Sequence, residues 1–310
     1  MHYNKVGITA IGTYLPRRKE DNLIKQEKFG LKQGFLEEKI GVFKRSVCEE
    51  NEFCSDLCVK AFKDLQKKTG VSTDEIETAV VVTQNPDSRL PHAGAIVHSK
   101  LNLPEKCASF DISLGCSGFV YGLSVISSFM ESNGMKKGVL FTSDPYSKIV
   151  DPEDRSTALI FGDGATATLI TADPVLSNGV FSFGTMGNRS GDICLKNDRL
   201  FMDGQSVVKF TKRTLIESIT NNITLNGFTT DDIDRFIIHQ GSRFIVDTIS
   251  NDLGIELNRV PFDIWEYGNT VSSSIPLILK DELLKTENDI FLISGFGVGL
   301  SWASCVLKRL

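Results

Sequence analysis

The chain has 310 residues, 41% of them hydrophobic and 24% charged, with 26 glycines: the balance of a soluble globular protein able to form two domains or two halves of one. A formal net charge of -5 without any Lys/Arg run excludes an electrostatic nucleic-acid binder; Arg17-Arg18-Lys19 is soon offset by Glu20 and Asp21. No apolar stretch approaches the ~20 residues of a membrane span, "VGITAIGTYLP" reads as strand and turn rather than a signal peptide, and the seven cysteines are scattered. A reduced, cytoplasmic protein is expected, with no membrane partner and no metal, since Cys54 and Cys58 lack a His or a second Cys pair.

In chain order, "KVGITAIGTYLP" predicts a strand and "FCSDLCVKAFKDLQKKTG" a helix ending at Gly70. "IETAVVVTQN" is a continuous apolar run suited to a strand covered on both faces. "AGAIVHSKLNL" is helical, "CASFDIS" a strand, "GFVYGLSVISSFMESNG" a helix stopping at Gly134, and "KGVLFTSD" a strand. Alternation of this kind argues for α/β layering. "FGDGATATLI" reads as a structural turn leading into another strand.

The plan then recurs. "VSTDEIETAVVVTQN" (71–85) resembles "FTTDDIDRFIIHQGS" (228–242): a capping Thr-Asp, an acidic turn, then a buried strand. Each precedes a helix that closes on a short apolar motif, so Phe110-Asp111-Ile112 and Phe262-Asp263-Ile264 take matching places. The later strands "KGVLFTSD" and "NDIFLISG" correspond too. Internal duplication follows, with an N-terminal half over 1–172 and a C-terminal half over 173–310, joined near 171–178. About a pseudo-twofold axis, loops at matching strand ends would face one another.

Those ends carry the candidate chemistry. Cys116 lies between small residues where a strand becomes a helix, where unpaired N–H groups and the helix dipole would lower its thiol pKa. A lone cysteine is otherwise a small packing hydrophobe. His239 ends the strand "RFIIHQ", while His2 is terminal and His92 and His98 lack obvious polar partners. Asn269 stands in the Gly-Asn turn of "EYGNTVSSSIP". "GFGVGLSWAS" sets three glycines around Phe296 and Val298; it is too late and short for a dinucleotide-binding unit, and suits a tight turn offering backbone N–H groups to an oxyanion.

Taken together, "DISLGCSGFVYGL", "DPEDRSTALIFGDGATATLI", "IIHQ", "YGNT" and "GFGVGLSW", in this order over nearly the whole chain, resemble the ketoacyl-acyl-carrier-protein synthase III family of thiolase-fold condensing enzymes. The resemblance implies a thiolase-like fold of two duplicated α/β halves in a five-layered αβαβα arrangement, a homodimer, and no cofactor beyond thioester substrates on coenzyme A or acyl carrier protein. It implies Cys116 as acyl-bearing nucleophile, and His239 and Asn269 as hydrogen-bond donors to a decarboxylating malonyl thioester. The backbone N–H groups of Cys116 and Val298 would form an oxyanion hole, with Phe296 as an apolar wall.

Some positions depart from the family pattern. Ser242 replaces an Asn and Arg243 comes one position early in the carrier-binding segment, where Arg243 is either a docking cation or a solvated helix charge. Phe35 takes the place of an adenine-stacking Trp, with Lys39 for a phosphate and Arg155 across the adenine. Leu90 takes the place of the aromatic acyl-pocket cap that reaches across the dimer, which implies room for a longer or branched acyl group. Plain acyl transfer to an alcohol or amine stays open as an alternative, as does a non-catalytic subunit of the same fold.

Overall fold

The computed structural model describes residues 5–310, so His2 lies outside it. Nine strands form one mixed sheet: β1 (Gly7–Tyr14), β2 (Thr78–Val82), β3 (Ala108–Ile112), β4 (Lys137–Ser143), β5 (Ala165–Thr171), β6 (Leu176–Thr185), β7 (Arg235–Ile238), β8 (Ile290–Gly297) and β9 (Ser301–Arg309). Their order is β7-β8-β9-β6-β1-β5-β4-β2-β3. β2 runs parallel to β3 and β4, and β7 parallel to β8; the other pairs are antiparallel. Between the halves the ladder is short, with Gly7 opposite Ser177 and Ile8 opposite Leu176.

Six helices cover this sheet: α1 (Cys54–Thr69), α2 (Ala93–Leu101), α3 (Gly118–Asn133), α4 (Ile216–Leu225), α5 (Arg243–Leu253) and α6 (Ser274–Glu282). α1 starts where Asp56 accepts the Phe53 N–H at 3.1 Å, and it stops at Gly70, whose φ of 72° an L side chain rarely adopts. One face buries Leu57, Ala61, Phe62 and Leu65 against the outer face of the first half-sheet, beside α2. α3 is apolar on more than one side because it is central: Phe119, Leu123 and Ile126 share a core with Ile275, Ile278 and Leu279 of α6 and with Ile8, Val80, Ile237 and Ile293 from both half-sheets. α4 and α5 bury Ile219, Ile223, Val246 and Ile249 on the far side. Five layers result, with α3 and α6 as the middle one. Among the described residues no helix is long and apolar enough to cross a membrane.

One expectation is corrected and one correspondence is incomplete: residues 261–264, the counterpart of β3 in the repeat, form no strand. Pro261 has no N–H for a ladder, and the Gln240 side chain takes the backbone groups instead, donating to the Pro261 carbonyl at 3.2 Å and accepting the Asp263 N–H at 3.4 Å. In "GFGVG", Gly295 and Gly297 belong to β8 and the turn begins only at Val298.

Candidate active site

A cavity of about 420 Å³ opens where the two halves meet, and Cys116, His239, Asn269, Phe296 and Val298 all line it. Cys116 precedes Ser117, the cap of α3, and is 7% exposed. β8 passes directly over it. A Cβ at Gly297 would stand 2.9 Å from Cys116 Cβ and 3.1 Å from Sγ, and one at Gly295 would meet the Cys116 carbonyl at 2.6 Å. These two glycines, one pleat apart, are what allow a strand so close to the sulfur, and Phe296 between them turns edge-on to His239 at 5.4 Å. The Val298 turn is tied to the same place: Ser301 Oγ donates to the Val298 carbonyl at 2.8 Å and lies 2.7 Å from Ser117 Oγ.

His239 follows β7 and is 3% exposed, with its N–H bonded to the Ser294 carbonyl at 2.8 Å. Nδ1 lies 2.6 Å from Ser274 Oγ, and Nε2 lies 3.5 Å from Asn269 Nδ2. Asn269 is pinned by its backbone, donating to the Ile160 carbonyl at 2.9 Å and accepting from the Gly162 N–H at 3.0 Å. Its Oδ1 accepts the Val271 N–H at 2.8 Å, which leaves Nδ2 facing the imidazole.

Burial sets the charges. It drives the His239 pKa from 6.5 down to about 3, so the ring is neutral. Burial also pushes the Cys116 thiol well up, Asp144 adding in the same direction, with its own backbone N–H opposing. This direction is opposite to the lowering expected from the α3 N-terminus, because desolvation of the sulfur opposes its ionisation. Burial raises the carboxyl of Asp144, at the end of β4, from 3.8 to about 6, against hydrogen bonds from the Gln84 N–H, the Ser272 hydroxyl and N–H, and Thr83.

Phe35, Lys39 and Ser242 line the cavity, whereas Arg155, Arg243 and Leu90 do not. Lys39 Nζ sits 4.7 Å over the Phe244 ring, and Ser242 is the N-cap of α5, its hydroxyl accepting the Ile245 N–H at 3.4 Å. Arg155 lies 5.7 Å over the Phe35 ring, closer than two stacking distances, so the two leave no room for a planar group between them as they stand. Arg243 is paired with Asp247 at 2.9 Å and stacked on Phe262 and Trp265. Leu90 is 87% exposed on its loop.

Sequence reasoning missed Tyr146, Gln84 and Ser274. Tyr146 lines the cavity, packs on Phe161 at 5.3 Å and donates to Gln84 Oε1 at 3.0 Å. The Ser-Asp-Pro-Tyr run just past the end of β4 was its only signal. Among the described residues no group of three His, Cys, Asp or Glu is placed to hold a metal.

The 3-oxoacyl-[acyl-carrier-protein] synthase III family model matches residues 110–187, and the model of its C-terminal part matches 223–309. A beta-ketoacyl-[acyl-carrier-protein] synthase III of Staphylococcus haemolyticus is 33% identical, with 98% of each chain covered. That of Deinococcus deserti is 30% identical, covering 98% of this chain and 91% of its own. The solved synthase III of Thermus thermophilus superposes with a TM-score of 0.90 at 30% identity, over 98% of this chain and 99% of the other. The enzyme from Aquifex aeolicus gives 0.91 at 27%, over 98% and 100%.

Proposed function

As this chain belongs to the 3-oxoacyl-[acyl-carrier-protein] synthase III family, an acyltransferase family of condensing enzymes, we propose that it joins an acyl group carried on Cys116 to the carbon nucleophile released from a malonyl thioester. The convergence of Cys116, His239 and Asn269 on one cavity is the observation that carries this reading.

In the first half-reaction Cys116 Sγ attacks the carbonyl carbon of an acyl thioester. A new C–S bond forms, the old one breaks, and the thiol proton ends on the departing thiol. The Cys116 and Val298 N–H groups receive the transient oxyanion; the Ser117–Ser301–Val298 hydrogen bonds hold those two segments in register.

In the second, a malonyl thioester places its carbonyl oxygen between His239 Nε2 and Asn269 Nδ2. The bond to the carboxylate breaks, carbon dioxide leaves, and the enolate charge falls on the oxygen those donors hold. Buried Phe296 gives the carboxylate a wall that cannot solvate its charge, which favours the neutral gas. The enolate carbon then bonds to the acyl carbon, and Sγ departs and takes up a proton.

Phe35, Lys39 and Arg155 at the mouth would receive coenzyme A, and an acyl carrier protein would deliver the malonyl group. Arg243, its charge already paired by Asp247, would contribute less to that docking than a free cation. The reading includes a cytoplasmic homodimer in which Leu90 of one chain caps the acyl pocket of the other. Its high exposure in the single chain supports this, and sedimentation of the purified protein tests it.

The experiment for the chemistry is intact-protein mass after incubation with acyl-coenzyme A thioesters, followed by a malonyl carrier-protein chase. A gain that is lost in Cys116→Ser and discharged by malonyl is expected. A gain that malonyl leaves in place would overturn condensation in favour of plain transfer.

A further inference from the structure

We propose that Ser274 is a positioning residue that fixes the His239 tautomer, so that Nε2 carries the proton and presents it to the thioester oxygen. The inference rests on the condensing reading of the site. It begins from a hydrogen-bond balance. Ser274 opens α6, is fully buried, and holds its Oγ 2.6 Å from His239 Nδ1. The same oxygen accepts the Gln240 N–H at 3.5 Å. A hydroxyl has one proton to give. Among the described residues the Ser274 hydroxyl has no acceptor other than Nδ1. If Nδ1 carried the proton it would donate to Oγ, and the hydroxyl proton would be a buried donor without a partner. The satisfied arrangement has the Gln240 N–H donating to Oγ, and the Ser274 hydroxyl donating to Nδ1.

Nε2 then bears the hydrogen, and its relation to Asn269 changes meaning. Nδ2 is a donor because Oδ1 is committed to the Val271 N–H, so the 3.5 Å between Nδ2 and Nε2 separates two donors. Two N–H groups side by side, with no acceptor between them, make a receptor for one oxygen of developing negative charge. Because the ring is neutral, one nitrogen alone has a proton, and the choice of nitrogen decides whether the receptor has two donors or one.

The test combines a spectrum with two rates. Histidine labelled with nitrogen-15 reports the tautomer directly in a long-range proton–nitrogen correlation, with the His239 signals identified by their loss in His239→Gln. The wild-type protein is expected to show the Nε2–H form, a measurement that needs no folded Ser274 variant; an Nδ1–H form would overturn the proposal. In Ser274→Ala the signal is expected to move toward Nδ1–H and condensation to fall about 10²-fold, with Cys116 acylation near the wild-type rate. Ser274→Thr, which keeps a hydroxyl, is expected to restore both tautomer and rate. An unchanged tautomer in Ser274→Ala, or equal losses in both half-reactions, would overturn it. Should the wild-type protein show the Nε2–H form yet never discharge its acyl group to malonyl carrier protein, the functional reading fails while the tautomer assignment stands.

Discussion

Asn269 Oδ1 accepts the Val271 N–H at 2.8 Å, and that bond decides which end of the amide meets His239. An isosteric carboxylate keeps the bond to Val271 and puts an acceptor where Nδ2 stood. Asn269→Asp should therefore cut malonyl decarboxylation by about 10²–10³-fold and spare Cys116 acylation, with some loss of thermal stability because the new carboxylate is buried. Carbon dioxide release and acyl-enzyme mass, measured on one preparation, check it; parallel losses would remove Asn269 from its donor role.

Gly297 is where β8 nearly touches the Cys116 sulfur. Gly297→Ala adds a methyl 3.1 Å from Sγ, and β8 cannot move away without disturbing its hydrogen-bonded ladder with β9. The variant should alkylate with iodoacetamide far more slowly at Cys116. Since the wild-type thiol is pushed up by burial, its own alkylation rate should keep climbing as the pH passes the ordinary cysteine value of 9.0. A plateau below that pH would show a stabilised thiolate instead.

The pH dependence of stability has a sign. His239 protonates near 3 when folded and 6.5 when unfolded, so within that window the unfolded chain binds more protons and stability falls as pH falls. Asp144 works the other way: between 3.8 and about 6 the folded state holds more protons and is favoured by acid. Urea unfolding across this range should give a flatter acid limb in His239→Gln. Superimposable curves for the two proteins would mean that His239 is not held neutral.

Tyr146 stands on the cavity wall with its hydroxyl committed to Gln84. Tyr146→Leu should open space there and shift primer preference toward longer acyl thioesters, by about tenfold for each methylene newly accommodated. Tyr146→Phe keeps the ring and should keep the wild-type length preference. Competing acyl-coenzyme A primers, resolved by acyl-enzyme mass, measure the ratio.

At the mouth, Phe35→Ala should raise KM about tenfold for coenzyme A thioesters through lost stacking, with kcat for carrier-borne malonyl unchanged. Equal effects on both substrates would place the adenine elsewhere.

Strong local patterns made much of this molecule legible in the sequence. The buried strands and the helices stopped by Gly70 and Gly134 followed from periodicity and stop signals. The bringing together of Cys116, His239 and Asn269 was only made plausible by the internal repeat and was implied by the family resemblance. What escaped depended on three-dimensional company. Ser272, Ser273 and Ser274 are alike as letters, and only the start of α6 decides that the last of them faces the imidazole. Burial opposes the thiol shift read from the sequence because a helix N-terminus can be inferred from sequence, whereas the depth at which the sulfur lies cannot. The glycines of "GFGVG" read as a turn because their reason, a strand pressed onto Cys116, comes from a residue far away in the chain.

The division of the site between halves joined by so short a ladder has a chemical consequence. A chain with only its first half ordered would own a cysteine but no decarboxylation machinery; with only its second half ordered it would own donors but nothing to receive the enolate. Condensation by the proposed route therefore needs both halves, with α3 and α6 packed together, before Cys116 and the two donors share one cavity.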